Sequence, residues 1–405
     1  MLNKKFYITT PIYYVNDKPH IGHAYTSVLA DVLARWHKLQ GEDVFFSAGT
    51  DEHGAKIEEA AKKAGKEPQE FVDEKAEEFK NAWEKLNIRY DNFIRTTDEA
   101  HIKAVQTALQ AIKDKGLLFE GHYEGFYCPG CEQYKFIDDL VDGKCPEHQI
   151  KLEIVPEDSW FFKLSNFEGI LKQKIENDEF KIEPAERKNE ILSFIDISLN
   201  DISVSRKNVK WGIPLPFDKG HTIYVWIDAF LNYLTSLGWD GKIPLNLFSG
   251  KGEIKFFPPD IQLMSKDILR VHATIWPALL LALDIPLPQK LFVHGFFTIN
   301  GQKMSKSLGN VISPDELVEK FGADGARYLL MSSLVHGHDG DVSWEKLTEK
   351  YNADLANGLG NLISRVIFFG QFFPRNITIM TMHQRRHQKI SRPVCPKFLD
   401  RKSVV

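Results

Sequence analysis

Cysteine is scarce in this chain, with four in 405 residues. That is too few for a disulfide framework. Three of the four fall between positions 128 and 145, which points to a metal site in a reducing compartment rather than to a secreted, cross-linked fold. An excess of basic charge is also missing. The formal net charge is −4, which argues against a nucleic-acid coat protein acting through a global positive field and leaves room for a local basic surface. No apolar run is long enough to span a bilayer. The opening residues, Met1 to Lys5, lead straight into a strand-like segment with no secretory apolar core. The expectation is a cytoplasmic protein with neither a membrane nor DNA as partner. The composition that remains, 43% hydrophobic and 26% charged, is that of a globular chain with room for two or three domains.

Two short stretches stand out against this background. His20-Ile21-Gly22-His23 (HIGH) follows an apolar, β-branched run, Lys5 to Thr10, and precedes Ala24 to Leu39, whose apolar residues recur at helical spacing. HIGH is therefore expected on a helix N-terminus after a strand, where backbone N–H groups and the helix dipole favour an anion. Two imidazoles add donors, and Gly22 lets a ring or ribose approach the backbone. Read alone, the stretch fits equally a helix start that happens to hold two histidines. The second stretch is Lys303-Met304-Ser305-Lys306-Ser307 (KMSKS), after a strand-like run at Leu291 to Asn300 and a turn at Asn300-Gly301. Two lysines three residues apart with serines between them suit a polyphosphate; the alternative is a solvated basic loop.

Asp43 to Gly49 reads as another buried strand, ending in the loop Thr50 to Gly54. Its Asp51 is placed either to bind a ligand at a strand end or to cap the next helix. Phe71 to Leu86 and Ile102 to Ile112 read as amphipathic helices whose aromatics are core. Cys128-x2-Cys131, thirteen residues, then Cys145-x2-His148 has the spacing of a closed tetrahedral shell. Three thiolates and an imidazole suit structural Zn²⁺, one per chain, in preference to an empty or an iron site. Thr222 to Ile227 is expected to be a strand that resumes the sheet, and Asp267 to Leu283 a long apolar helix.

HIGH and KMSKS in this order are similar to the motif pair of the class I aminoacyl-tRNA synthetases. Thr9 to Asn16 (TTPIYYVN), Gly49 to Gly54 (GTDEHG), Tyr224 to Ala229 (YVWIDA) and Asn352 to Asn357 (NADLAN) narrow the likeness. With them the chain resembles the methionyl-tRNA synthetases, from about Phe6 to Phe369. The resemblance implies an α/β fold: a doubly wound, parallel-sheet (Rossmann-type) catalytic domain, split by a zinc-knuckle insertion and followed by the start of an α-helical domain. The expected boundaries are 1–115 and 221–297 for the two catalytic halves and 116–220 for the insertion. The KMSKS and stem-contact region would take 298–350, the helical anticodon-binding domain would begin at 351–373, and 374–405 would be a basic tail.

The resemblance also implies a chemistry: methionine activated with ATP and Mg²⁺ to methionyl-adenylate, then transferred to methionine tRNA. His20, His23, Lys303 and Lys306 would act on the phosphates, with Gly22 and Asp267 also holding ATP. Asp51 would pair with the substrate ammonium. Ile12, Tyr14, Trp226, Ala229, Tyr233, Ile268, His272 and Trp276 would surround the methionine side chain, where aromatic rings suit a thioether. The chain departs from the family pattern at Ser265, where glycine is usual, at Gln262, where histidine is usual, and at Asp196-Ile197-Ser198, in place of a lysine-serine-glycine run. Arg375 to Val405 holds eight Lys or Arg and one Asp without any period. A basic tail can touch RNA, but the break falls inside what the family builds as a helical bundle, which favours a sequence foreign to the family; with only Tyr351 to Phe369 of that bundle recognisable, weak tRNA charging is expected. Two other readings remain, another HIGH-type adenylyl transferase and a non-catalytic, truncated remnant or RNA-binding protein.

Overall fold

The computed structural model describes residues 4–128, 133–135, 140–146, 149–197, 199–242, 253–299, 301–304 and 310–370. The described residues fall into two units, which divide between Leu347 and Thr348.

The first unit is organised by a seven-stranded sheet. Its strands are β1 (Lys5–Thr9), β2 (Tyr13–Tyr14), β3 (Asp43–Asp51), β4 (Asn92–Arg95), β5 (Lys181–Glu183), β6 (Ile261–Ser265) and β7 (Lys290–His294). They run in the order β3–β1–β6–β7–β5, every pair parallel, with β2 and β4 both paired to the C-terminal half of β3. Burial explains the composition. Val44 to Thr50 is buried without interruption, as in a parallel strand covered on both faces. The covering helices include α1 (Ile21–Leu39), α2 (Ala55–Lys63), α3 (Pro68–Lys85) and α4 (Glu99–Asp114). The chain leaves β1 for β3 on one side and returns through β6 on the other, so the strand order reverses between β1 and β6. Ligands of doubly wound sheets bind at the carboxyl ends of the strands on either side of such a reversal.

Several elements differ from the sequence reading, each for a tertiary reason. Strand β3 runs on through Asp51, because Tyr13 and Tyr14 pair with Thr50 and Asp51. Asp51 is therefore a strand residue, and the helix behind it is capped by Gly54. The expected strand Thr222 to Ile227 stops at Ile223 in a separate three-stranded antiparallel sheet; Val225–Phe230 is helix α7, followed by α8 (Asn232–Thr235). The β-branched run is overridden because a helical turn buries Ile227 and Phe230 in the core. Residues 116–220 do not lie wholly outside the sheet: α5 (Glu168–Glu176) and α6 (Ala185–Ile197) flank β5, which closes the sheet edge against β7. The long helix expected at Asp267 to Leu283 is broken into α9 (Leu269–Ala273) and α10 (Ile275–Ala282) at Thr274. Pro277 has no N–H to donate to the Ala273 carbonyl, so the helical ladder cannot run through. The run Leu291 to Asn300 is interrupted at Gly295, where any β-carbon would sit 2.2 Å from the His338 carbonyl oxygen.

Strands Leu118–Cys128 and Glu153–Phe162 pair antiparallel over ten residues. Cys128 at the end of the first packs with Cys145 and Leu152 in a small buried cluster. Cys131 and His148 lie outside the described residues, as do Ser198 and the tail. In the second unit, Tyr351–Gly360 is wound as a π-helix and Asn361–Gly370 as an α-helix. The α-helical start expected at 351–373 therefore opens on a π-helical stretch. Among the described residues no helix is long and apolar enough to cross a membrane.

Candidate functional site

A cavity of about 680 Å³ opens at the carboxyl ends of β1, β3 and β6. One end is made by the first turn of α1. His20 is the N-cap; its Nδ1 accepts the Gly22 N–H at 3.0 Å, and the His20 N–H is donated to His23 Nδ1 at 3.4 Å. Both Nδ1 atoms are thus acceptors, which puts the proton of each neutral imidazole on Nε2. The rings stack at 3.7 Å between centroids. Burial, with His20 next to it, holds His23 well below the usual imidazole range, so it is a neutral donor. Gly22 is required here because a β-carbon would come within 2.8 Å of His20 Cε1 and push the ring aside.

The other end is buried and aromatic. His272 Nδ1 donates to the Ile268 carbonyl at 2.8 Å, so Nε2 accepts from the Tyr233 hydroxyl, also at 2.8 Å. Burial lowers His272 to about 4 and pushes the Tyr233 hydroxyl up, so both are neutral. Trp226 meets His272 edge-on at 6.2 Å. Asp51, at the end of β3, and Lys56, 6.0 Å from the Tyr14 ring, also line the cavity.

Of the residues singled out in the sequence, His20, Gly22, His23, Ile12, Tyr14, Asp51, Trp226, Ala229, Tyr233, Asp267, Ile268 and His272 all line this one cavity. Trp276 does not. It is fully buried behind Phe230, stacked at 5.9 Å, and donates its indole N–H to Gln262 Oε1 at 2.9 Å. That bond gives Gln262 a role in β6: it fixes the ring that backs the pocket. Ser265 lines the wall but turns its hydroxyl onto the Asp267 carboxylate. Lys303 ends the hairpin strand Gln302–Lys303, and the next residue, Met304, reaches the cavity. Lys306 lies outside the described residues.

Sequence reasoning missed Lys56, Lys266 and the pair Thr26–His294. His294 Nδ1 donates to the Gly295 carbonyl, leaving Nε2 to accept the Thr26 hydroxyl at 2.8 Å; burial lowers it to about 4. A histidine inside the apolar run LFVHGFF was the available signal.

The comparisons with known proteins agree with this geometry. The family model of class I tRNA synthetases (M) matches residues 6–367. The chain belongs to that family. The methionine–tRNA ligase of Thermotoga maritima is 46% identical over 369 residues, a match covering 89% of this chain and 57% of that protein. The methionine–tRNA ligase of Streptomyces coelicolor is 43% identical, with 96% of this chain and 72% of that protein covered. Mycobacterium tuberculosis methionyl-tRNA synthetase in complex with methionyl-adenylate superimposes with a TM-score of 0.84 at 37% identity, covering 91% of this chain and 72% of that one. Several relatives are much longer: the chain spans little more than half the length of the Thermotoga protein.

Proposed function

We propose that this chain activates methionine with ATP, releasing pyrophosphate and forming methionyl-adenylate, and then passes the methionyl group to the terminal ribose of its tRNA. The observation that carries the reading is the two-ended cavity. A helix N-terminus with two neutral imidazole donors faces one end, buried aromatic side chains face the other, and the Asp51 carboxylate lines the same cavity.

In this reading the methionine side chain enters between Trp226, Tyr233 and His272, where neutral, mutually satisfied polar groups leave an apolar surface for a thioether. Asp51 takes the ammonium group. The methionine carboxylate attacks the α-phosphorus, the bond to the bridging oxygen breaks, and pyrophosphate departs. The His20 and His23 Nε2–H groups donate to the phosphoryl oxygens, and the α1 N-terminus adds its partial charge. Lys303 and Lys306 meet the charge growing on pyrophosphate. Mg²⁺ enters as the nucleotide's counter-ion, so no side chain is assigned to it. Ser265 and Asp267 border the nucleotide. Positioning and charge stabilisation account for the catalysis, as in other phosphoryl transfers.

Structural zinc is part of the proposal. Cys128 and Cys145 share one buried cluster, which fits two thiolate ligands, and Cys131 and His148 would complete the shell. Zinc would hold the two ends of that segment together and take no part in the reaction.

The test is methionine-dependent exchange of pyrophosphate into ATP by the purified chain. Exchange that requires methionine and is not replaced by other amino acids supports the reading. No exchange, or exchange indifferent to the amino acid, sinks it.

A further inference from the structure

Asp228 does not line the cavity. It sits on α7 between Trp226 and Ala229, which do, and it is 1% exposed. One carboxylate oxygen accepts the Nδ1–H of His53 at 2.7 Å, and the other accepts the Nε2–H of His101 at 2.8 Å. His53 follows Asp51 by two residues. His101 belongs to α4, and its Nδ1 lies 2.7 Å from the Thr235 hydroxyl of α8, the helix that carries Tyr233. One buried carboxylate thus ties the end of β3, α4 and the α7–α8 segment together.

A buried charge is costly unless it is fully bonded, and an apolar residue would fill the same space at less cost. Burial alone would raise the carboxyl pKa; His53 and His101 reverse this and hold it below the usual range. What such a network supplies that an apolar contact cannot is a fixed registry between segments. The segments joined here carry Asp51 on one side and Trp226, Ala229 and Tyr233 on the other.

We propose that Asp228 is a positioning residue for the amino-acid end of the cavity: through His53 and His101 it holds the backbone bearing Asp51 in register with the helix face bearing Trp226 and Ala229. This rests on the function proposed above. The loop between them has other ties. The Glu52 N–H donates to Thr96 Oγ1, the Trp211 indole N–H donates to the Glu52 carbonyl, and the Gly54 N–H donates to the Trp211 carbonyl. Loss of the network therefore shifts the registry without releasing the segment.

The experiment is pyrophosphate exchange with methionine and ATP varied separately, together with the thermal midpoint of each variant. Asp228→Leu combined with His101→Leu removes the charge and a partner together and keeps the site packed. It is expected to stay folded and to raise the KM for methionine about tenfold, leaving kcat and the KM for ATP within about twofold, the split expected when binding of one substrate is lost equally in the ground and transition states. His101→Gln, which keeps an N–H near the position of Nε2, should restore most of the methionine affinity. A folded double variant with unchanged methionine KM overturns the proposal, and so does an equal loss toward ATP and methionine. Absence of exchange in the unmodified chain is a separate result: it removes the function itself. If the double variant does not fold, His53→Asn against His53→Leu makes the same comparison at the other nitrogen.

Discussion

The two ends of the cavity are built in different ways. At the His20 end, four consecutive residues supply the cap, the stacked rings and the close approach, and a single helix start orients them. At the His272 end, Tyr14, Trp226, Tyr233 and His272 arrive from segments spread over more than two hundred residues, and the hydrogen bond between Tyr233 and His272 sets the geometry. The first kind of site is specified by local backbone rules, the second by long-range packing. The first should therefore tolerate changes in the core around it, and the second should lose stability and affinity together.

The largest effect should come from His23→Ala, in the local site. Removing one donor to a developing charge slows adenylate formation about 10²- to 10³-fold. Methionine affinity should stay near that of the unmodified chain, since no part of the aromatic end is touched. Single-turnover rates alongside equilibrium methionine binding measure both; a matching loss of affinity would erase the distinction between the ends.

Asp51→Ala comes next. Asp51 is only partly buried, so losing a charged hydrogen-bond partner should cost about 1.5–3 kcal/mol, or roughly ten- to a hundredfold in the KM for methionine. The KM for ATP should hardly move. An unchanged methionine KM would mean that Asp51 faces something other than the substrate ammonium.

Tyr233→Phe tests the packed end more gently. It leaves the buried His272 Nε2 without a donor, and the expected loss of stability is about 1–3 kcal/mol by denaturant midpoint. Pairing it with His272→Leu closes a double-mutant cycle. A strongly non-additive result shows that the two act as one unit, whereas simple addition would show that they do not.

The smallest effect concerns acid. An unfolded histidine gains its proton near pH 6.5, whereas folded His272 and His294 resist until about 4. Between these values the unfolded state binds more protons. Stability therefore rises with pH across the window and is lost as pH falls from about 6.5 to about 4. Thermal midpoints measured across that range should fall less steeply in His294→Gln than in the unmodified chain. Identical slopes would show that His294 takes up its proton without resistance.

How much of this was legible beforehand follows the same division. The HIGH helix start, the buried strands β1 and β3 and the helices after them were readable, because strand burial and helix capping leave short-range patterns at periods of 2 and 3.6. The segment after Thr222 was misread as sheet. Its β-branched residues suit a strand locally, and only the burial of Ile227 and Phe230 selects the helix. Trp276 was counted as a wall of the pocket because family likeness gives proximity, not orientation; Gln262 turns it behind Phe230. The His53–Asp228–His101 network was not read at all. A histidine on the apolar face of α4 is visible in the sequence, but its partner lies 127 residues away.

By itself, then, the sequence determined the family, the strand-to-helix crossing at His20 and the kinds of groups that line the cavity. These depend on residue types at short, regular spacing, and hydrophobic period and capping act over a few residues. Which aromatic faces the cavity and which backs it, where β3 ends, and which histidines meet Asp228 were decided only in the tertiary structure. Those outcomes depend on which distant atoms fill the remaining space and satisfy the remaining hydrogen bonds, a condition that no stretch of chain meets alone.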